Sequence, residues 1–377
     1  MSVEIRTVKS GWDRRAFVRL PFKLYRGNSC WVPPLIRDEL DTFNPKKNPA
    51  FHQAEARLFM AYRHGQPVGC VAAILSHAAN EKYHTRNMRF GWFETVEDYE
   101  VAEALLRAVE AWAKERGMDT ITGPHGFTDL DHQGMLIEGF DRLPTISVYY
   151  NPPYYPEFVQ RYGFEKEIDY VEFLSHFPVE EGFGPRITAL VDKIKKRGEV
   201  RLLEFKNMKE ALTRADELFD VLNETYGDIY GTTPLDEEQK RYYTKKYISF
   251  LDLKFLRVAV NRQNEMVGFF IAMPSLSRAF QKARGRLLPF GWFHILRALK
   301  ARQETLDFYL VAVKPSYRIK GVMPLMVSDL LYMAMENGFK EGESSPMLET
   351  NTPVLGLHHY AAYELHKRRR IYKKKVS

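Results

Sequence analysis

The sequence predicts a mixed-sheet α/β protein in which one layout of strands and helices occurs twice. Three observations carry this. The chain of 377 residues exceeds what one typical core accommodates and fits two domains. Residues 57–75 and 255–273 each read as an apolar strand, a polar turn, Val-Gly and a second apolar strand, the pattern of a β-hairpin. Each is followed by a further strand and a long apolar-faced helix, expected over 101–116 and 325–337 and closed by Gly117 and Gly338.

The elements follow in order. A helix over 12–25 and a Pro-rich segment precede the first hairpin; helices over 211–226 and 237–250 precede the second. Each copy then runs hairpin, strand, helix, strand, helix and final strands, a layout that places helices on both faces of a mixed sheet. The interval from Val-Gly to the long helix is longer in the second copy, by nearly the length of the basic stretch 278–302, which is therefore an insertion. Expected boundaries are a first domain over 1–177, a linker with a short basic helix over 178–200, and a second domain over 201–377.

Cys30 and Cys70 form neither a disulfide framework nor a metal-ligand spacing, so a reducing compartment is expected. The start lacks the basic and apolar stretches of a signal peptide, and no apolar run approaches the ~20 residues that span a bilayer. The expected location is the cytoplasm, with a peripheral position at the inner face of the cytoplasmic membrane as its variant. The net charge of +7 is concentrated: 278–302 and 367–375 each carry seven Lys and Arg and no acid, and the remainder is net acidic. The 367–375 run reads as a solvated tail, a sheet edge guarded by charge, or a membrane contact.

Residues 311–323 are the most informative. A β-branched run ends at Pro315, a basic turn with Gly321 follows, and an apolar helix starts near Pro324. Backbone N–H groups at such a helix start, with Lys314, Arg318 and Lys320 beside them, form a cradle for a pyrophosphate. In the first copy the same place reads Glu94-Thr-Val-Glu-Asp-Tyr-Glu, four acids without glycine or a basic residue, which would repel that group. The first copy is thus read as degenerate, helping to form an acceptor pocket.

Arg318-x-x-Gly321 resembles the Arg/Gln-x-x-Gly-x-Gly/Ala acyl-CoA loop of the Gcn5-related N-acetyltransferase (GNAT) superfamily, departing from it at Met323. Residues 151–164, ending Tyr-Gly-Phe, resemble the last helix of that fold in the first copy. The resemblance implies two GNAT-like domains in tandem, the first degenerate, with acyl-CoA as co-substrate and no metal. It further implies that Arg318, Ile319, Lys320, Gly321, Val322 and Met323 hold the pyrophosphate. The N–H groups of Val311 and Val313, on a strand that splays from its neighbour, would then hold the thioester oxyanion. Trp31-Val-Pro-Pro34, Tyr150-Asn-Pro-Pro-Tyr-Tyr155, Arg286-Leu-Leu-Pro-Phe-Gly-Trp292 and Arg370-Ile-Tyr372 are similar to a family of bacterial tandem acetyltransferase-like proteins to which bacterial ceramide synthases belong.

Residues 347–351 read as a strand with Glu349 and Asn351 on one face; Glu349 is the expected base for an attacking amine, with Asn351 orienting substrate or coenzyme, against a solvated strand-end reading. Tyr360 and Tyr363, on an expected final helix, are the candidates to protonate the leaving thiolate, a role the resemblance implies. His358 and His359 lie nearby and read as structural. In the first copy Asp129 and Asp131 would partner a cationic amine, or simply build a hydrogen-bonded loop. Residues 287–293 in the insertion, aromatic and uncharged between cations, suit a membrane surface, a packed lid or, as the disfavoured reading, nucleic acid.

The expected function is transfer of an acyl group from acyl-CoA directly to an amine, with a lipid long-chain base as the favoured acceptor. The alternatives are acetyl or aminoacyl transfer to a soluble amine, peptide, tRNA or cell-wall precursor, and a non-catalytic CoA- or nucleic-acid-binding protein.

Overall fold

The computed structural model describes residues 3–180, 182–227, 229–248, 251–351 and 362–376. The first half runs β1 (Glu4–Thr7), α1 (Gly11–Leu24), α2 (Ile36–Thr42), β2 (Ala54–Arg63), β3 (Gln66–Ser76), α3 (His77–Tyr83), β4 (Asn87–Thr95), α4 (Tyr99–Glu115), β5 (Thr120–Gly123), β6 (Met135–Glu138), α5 (Tyr154–Arg161) and β7 (Glu165–His176). The second runs α6 (Pro185–Arg197), β8 (Val200–Leu203), α7 (Met208–Leu212), α8 (Ala215–Tyr226), α9 (Glu237–Lys246), β9 (Leu256–Asn261), β10 (Met266–Pro274), α10 (Ser277–Ala283), α11 (Gly291–Lys300), β11 (Thr305–Val313), α12 (Val322–Glu336), β12 (Glu341–Ser344), β13 (Met347–Leu348) and β14 (Ala362–Lys375). Both expected hairpins are present, as β2–β3 and β9–β10.

Two compact units emerge, and neither is a simple half. One holds residues 1–171, 277–295 and 366–377; the other holds 172–276 and 296–365. The first part of the basic insertion thus belongs to unit 1, as does most of β14.

In unit 1 the strands run β1-β2-β3-β4-β5-β14 and then the first half of β7, antiparallel except for β4–β5. Alternate residues of β3 supply two cores. Val71, Ala73 and Leu75 pack with Leu105, Leu106, Val109 and Trp112 of α4; Cys70, Ala72 and Ile74 pack with Phe17, Val18 and Leu20 of α1. A sheet buried on both faces explains why this strand reads as an unbroken apolar run.

The C-terminal basic run is an interior strand, not a free tail or a guarded edge. β14 pairs with β5 through Tyr372↔Gly123 to Lys375↔Thr120. Two of its charges meet acids directly: Arg370 donates to both oxygens of buried Asp169 at 2.7 and 2.9 Å, and Lys374 donates to Glu110 at 3.3 Å. Ile371 and Tyr372 are buried between them. Runs of cations exclude themselves from cores unless paired, and sequence alone does not display the pairing acids at positions 110 and 169.

Unit 2 repeats the plan: the end of β7, then β12-β11-β10-β9-β8, with β11–β12 as its parallel pair. α12 packs on one face with α6, whose Val191 and Ile194 join its core; α8 covers the other.

Arg370→Ala strips buried Asp169 of its bidentate partner and should cost about 3 kcal/mol. Urea denaturation at pH 7 measures it; a loss under about 1 kcal/mol would mean that Lys166, at 3.0 Å, suffices to hold that carboxylate.

Candidate active site

The site in unit 2 begins where two strands part. β11 pairs with β12 only from Thr305↔Glu341 to Phe308↔Ser344. Beyond Phe308 it continues to Val313 along β10 alone. Ser345 closes the crotch, its N–H and hydroxyl donating to Phe308 O at 2.9 and 2.7 Å. Lys314 N–H donates to Val267 O at 2.9 Å, in the same register as Ala312↔Phe269. Antiparallel alternation therefore turns the main chain of Ala312 towards β10 and that of Val311 and Val313 into the opening. Tyr226, at the end of α8, donates to Val311 O at 3.1 Å.

A basic loop follows. Pro315–Lys320 forms a 3-10 turn, and Gly321 adopts φ 83°, where a side chain would be strained and would also strike Ile194. Gly321 precedes α12, whose first turn has no side-chain cap. The N–H groups of Val322 and Met323 belong to the orphan donors of that turn, and Pro324 contributes none. Lys314 pairs with Glu224 at 3.2 Å, and Lys320 lies 4.3 Å from the Tyr317 ring centroid. Arg318 is exposed and makes no ion pair among the described residues.

Unit 1 holds the same scaffold in a closed state. Gly69↔Thr95 matches Gly268↔Val313, and Val96 N–H donates to Val68 O as Lys314 does to Val267. A Cβ on either glycine would lie 2.9 Å from a valine methyl of the following helix, Val101 or Val322. Thr95 is therefore the counterpart of Val313. Its N–H, however, already donates to the Tyr155 hydroxyl at 2.7 Å, while its carbonyl accepts from Tyr154 at 3.0 Å. The following helix is also self-capped: Asp98 accepts from Glu100 N–H at 3.0 Å and pairs with Arg63. Side chains of unit 1 thus answer donors whose counterparts in unit 2 have no side-chain partner among the described residues.

Beside Thr95, Glu94 accepts from Tyr25 at 2.6 Å and Tyr155 at 2.9 Å. Burial pushes its carboxyl up to about 7, the two tyrosine bonds pull it down, and Glu39 adds to the rise.

The other expected site residues disperse. Glu349 and Asn351 do not share a strand face: β13 ends at Leu348, and Asn351 N–H donates to Leu348 O at 2.9 Å, closing a turn. Tyr363 lies on β14, not a helix, exposed and edge-on to Phe173 at 5.4 Å. Tyr360, His358 and His359 lie outside the described residues. Asp131 closes its own loop, accepting from Phe127 and Thr128 N–H at 2.8 and 3.1 Å, where Gly126 leaves room for it. Burial pushes the Asp129 carboxyl up to about 6, against its own backbone bond and Arg89. Among the described residues no group of three His, Cys, Asp or Glu could hold a metal ion.

Sequence reasoning missed one pair. Asp307 and Glu343 are register partners on β11 and β12, both buried, one residue before the strands part. Tyr309 donates to Asp307 at 3.1 Å, and burial next to these carboxylates pushes its phenol well up. The available signal was an acid inside an otherwise apolar strand, Thr305-Leu-Asp-Phe-Tyr-Leu.

The Glu94 carboxyl, held at about 7 when folded and at 4.5 when ordinary, binds an extra proton in the native state between those values. Its stability contribution is thus fully present below 4.5 and lost as pH rises through 7. Glu94→Gln should flatten the fall in stability between pH 5 and 8, by up to about 3 kcal/mol at the alkaline end. Parallel pH profiles of urea midpoint for both proteins would refute it.

No protein-family model matches the chain. It is 27% identical over 380 residues to Protein YghO of Escherichia coli, covering 99% of this chain and 95% of that protein. It is 28% identical over 375 residues to the bacterial ceramide synthase of Caulobacter vibrioides, covering 96% of each. A tandem GNAT protein from the clavulanic acid biosynthesis pathway superposes with a TM-score of 0.58 at 12% identity, covering 99% of both chains. A GCN5-related N-acetyltransferase from Sphaerobacter thermophilus gives 0.51 at 12% identity, covering 99% of this chain and 96% of that one. With its parted strands and the long helix after them present in both units, the chain has the tandem GNAT fold.

Proposed function

We propose that the protein is an acyl-CoA-dependent N-acyltransferase working in unit 2. The observation that carries this is the conjunction of two donor sets, on one strand and the helix after it, that have no side-chain partner among the described residues. The N–H groups of Val311 and Val313 face the opening, and α12 starts without a side-chain cap nine residues after Val313. A thioester carbonyl and a pyrophosphate on one ligand would satisfy both.

In this reading the pyrophosphate lies against residues 318–323, with Arg318 supplying full charge. The thioester carbonyl accepts from Val311 and Val313, so negative charge developing on its oxygen as the amine attacks is met by fixed donors. The C–N bond forms, the C–S bond breaks, and CoA leaves as a thiolate that takes up a proton. The attacking nitrogen loses a proton to a carboxylate. Asp307 and Glu343 are the stronger candidates, since they lie side by side and buried one residue before the strands part. Glu349, in its turn, is the alternative, and Tyr360 and Tyr363 are the proposed donors to the thiolate.

A long-chain lipid base is the proposed acceptor, supported by likeness to a protein named for ceramide synthesis. No described helix is long and apolar enough to cross a membrane. A cytoplasmic enzyme that reaches its lipid from the membrane surface fits this reading.

The test is release of free CoA from acetyl-CoA and palmitoyl-CoA, each with and without sphinganine. Release should require palmitoyl-CoA and sphinganine together. Release from acetyl-CoA with a soluble amine would discard the lipid acceptor and keep the enzyme; neither release nor CoA binding would discard both.

Arg318→Glu should weaken acyl-CoA binding roughly 10- to 100-fold, as expected for losing a charge-assisted contact, with the melting temperature unchanged. Unaltered affinity would place the pyrophosphate elsewhere. Asp307→Asn should lower kcat about 100-fold or more while leaving CoA affinity intact. If Glu349→Gln does so instead, the proton goes to the turn and not to the parting strands.

A further inference from the structure

From Ser275 to Gln303 the chain carries seven Lys and Arg and no acid. Its first part is pinned within unit 1. Ser277 donates to Pro144 O at 2.7 Å, Gln281 to Ser29 O at 2.8 Å and Trp31 O at 3.1 Å, and Ile36 N–H to Gly285 O at 2.9 Å. Gly285, at φ 73°, sits where a Cβ would strike the Phe22 ring.

What this base holds up is an ordered apolar tip. Trp292 N–H donates to Leu287 O at 2.8 Å, the Trp292 indole to Pro289 O at 2.9 Å, and Phe293 N–H to Phe290 O at 3.1 Å. Yet Leu288 is 75% exposed and Phe290 73%, and Leu287, Trp292, Phe293 and Leu296 are exposed with them. In α11 the outward residues Phe293, Leu296, Arg297 and Lys300 follow helical spacing, whereas His294, Ile295, Ala298 and Leu299 are half-buried. Phe293 and Leu296 therefore face solvent, the reverse of a helix that turns its bulkiest apolar groups to a core. Arg284 and Arg286 precede the tip and Arg297 and Lys300 follow it, all exposed.

We propose that residues 286–297 dock the protein on an anionic phospholipid bilayer, the apolar tip entering the acyl boundary and the flanking cations meeting headgroup phosphates. The composition selects this occupant. Three leucines add nothing to stacking on nucleobases, and the Trp292 N–H is already satisfied by backbone. Cations on both sides of aliphatic and aromatic groups match a surface that is anionic outside and hydrocarbon within. The proposal goes beyond acyl transfer and does not depend on it.

Flotation of the full chain with vesicles of phosphatidylcholine alone or with about 30% phosphatidylglycerol, at about 0.1 M salt, tests it. Binding is expected to the anionic vesicles and to fall steeply with salt. Leu288→Ser/Phe290→Ser/Trp292→Ser should weaken it at least tenfold. Arg284→Glu/Arg286→Glu should weaken it roughly fivefold or more for each charge. Trp292→Phe keeps the apolar surface and reports insertion: wild-type fluorescence should be quenched by brominated acyl chains, and that component should vanish while binding persists. Unchanged melting temperatures exclude misfolding of these exposed positions. Absence of binding to either vesicle would overturn the proposal. So would a concentration-dependent dimer in sedimentation velocity that the triple substitution abolishes while vesicle binding is unchanged.

Discussion

A strand that leaves its neighbour part-way through a sheet exposes main-chain donors inside a folded domain, and something must answer them. This constraint shapes both units. β4 and β11 each run a few residues beside a parallel partner and then continue with one side unpaired. Unpaired buried N–H groups cost enough that native structures rarely leave them so. In unit 1 the answer is internal: Tyr155 reaches Thr95. In unit 2 the equivalent position, Val313, faces the opening. One sheet geometry thus yields a structural domain when filled by its own tyrosine and a proposed acyl-transfer site when filled by a thioester.

The helix that follows obeys the same logic. α4 begins on Asp98, which answers its first turn with a carboxylate, and Arg63 in turn neutralises that acid. α12 begins on a left-handed glycine with no side chain to offer, and the loop before it is longer and basic. An acid in the chain and an anion in solution are competing solutions for one helix terminus. Of the acids after Glu94, Asp98 is itself the group that answers the helix start.

Much of this was legible in residue patterns. Val-Gly in both hairpins marked the duplication because the glycine lets the next helix approach, as the near-identical valine contacts of Gly69 and Gly268 show. The turn at 314–321 stood out because a basic glycine turn between an apolar strand and an apolar helix has few structural reasons to be basic. Other features were hidden because they depend on partners far along the chain. Tyr155 read as part of an ordinary helix; its role appears only when it meets Thr95 across sixty residues. Asp307 became notable once Glu343 stood beside it. The turn at 349–351 was misjudged as strand because alternation over five residues cannot distinguish the two.

The placement of β14 bears on how the protein is made. Its pairing joins Tyr372 to Gly123, about 250 residues apart. At about 5–20 residues per second, a ribosome needs on the order of ten seconds or more to bridge that interval. Throughout that time β5 offers a bare hydrogen-bonding edge, and the pocket for Ile371 and Tyr372 stands open to solvent. The cations that look so out of place in a central strand keep the waiting segment soluble and slow to pair with the wrong edge. They surrender that role only when Asp169 and Glu110 receive them.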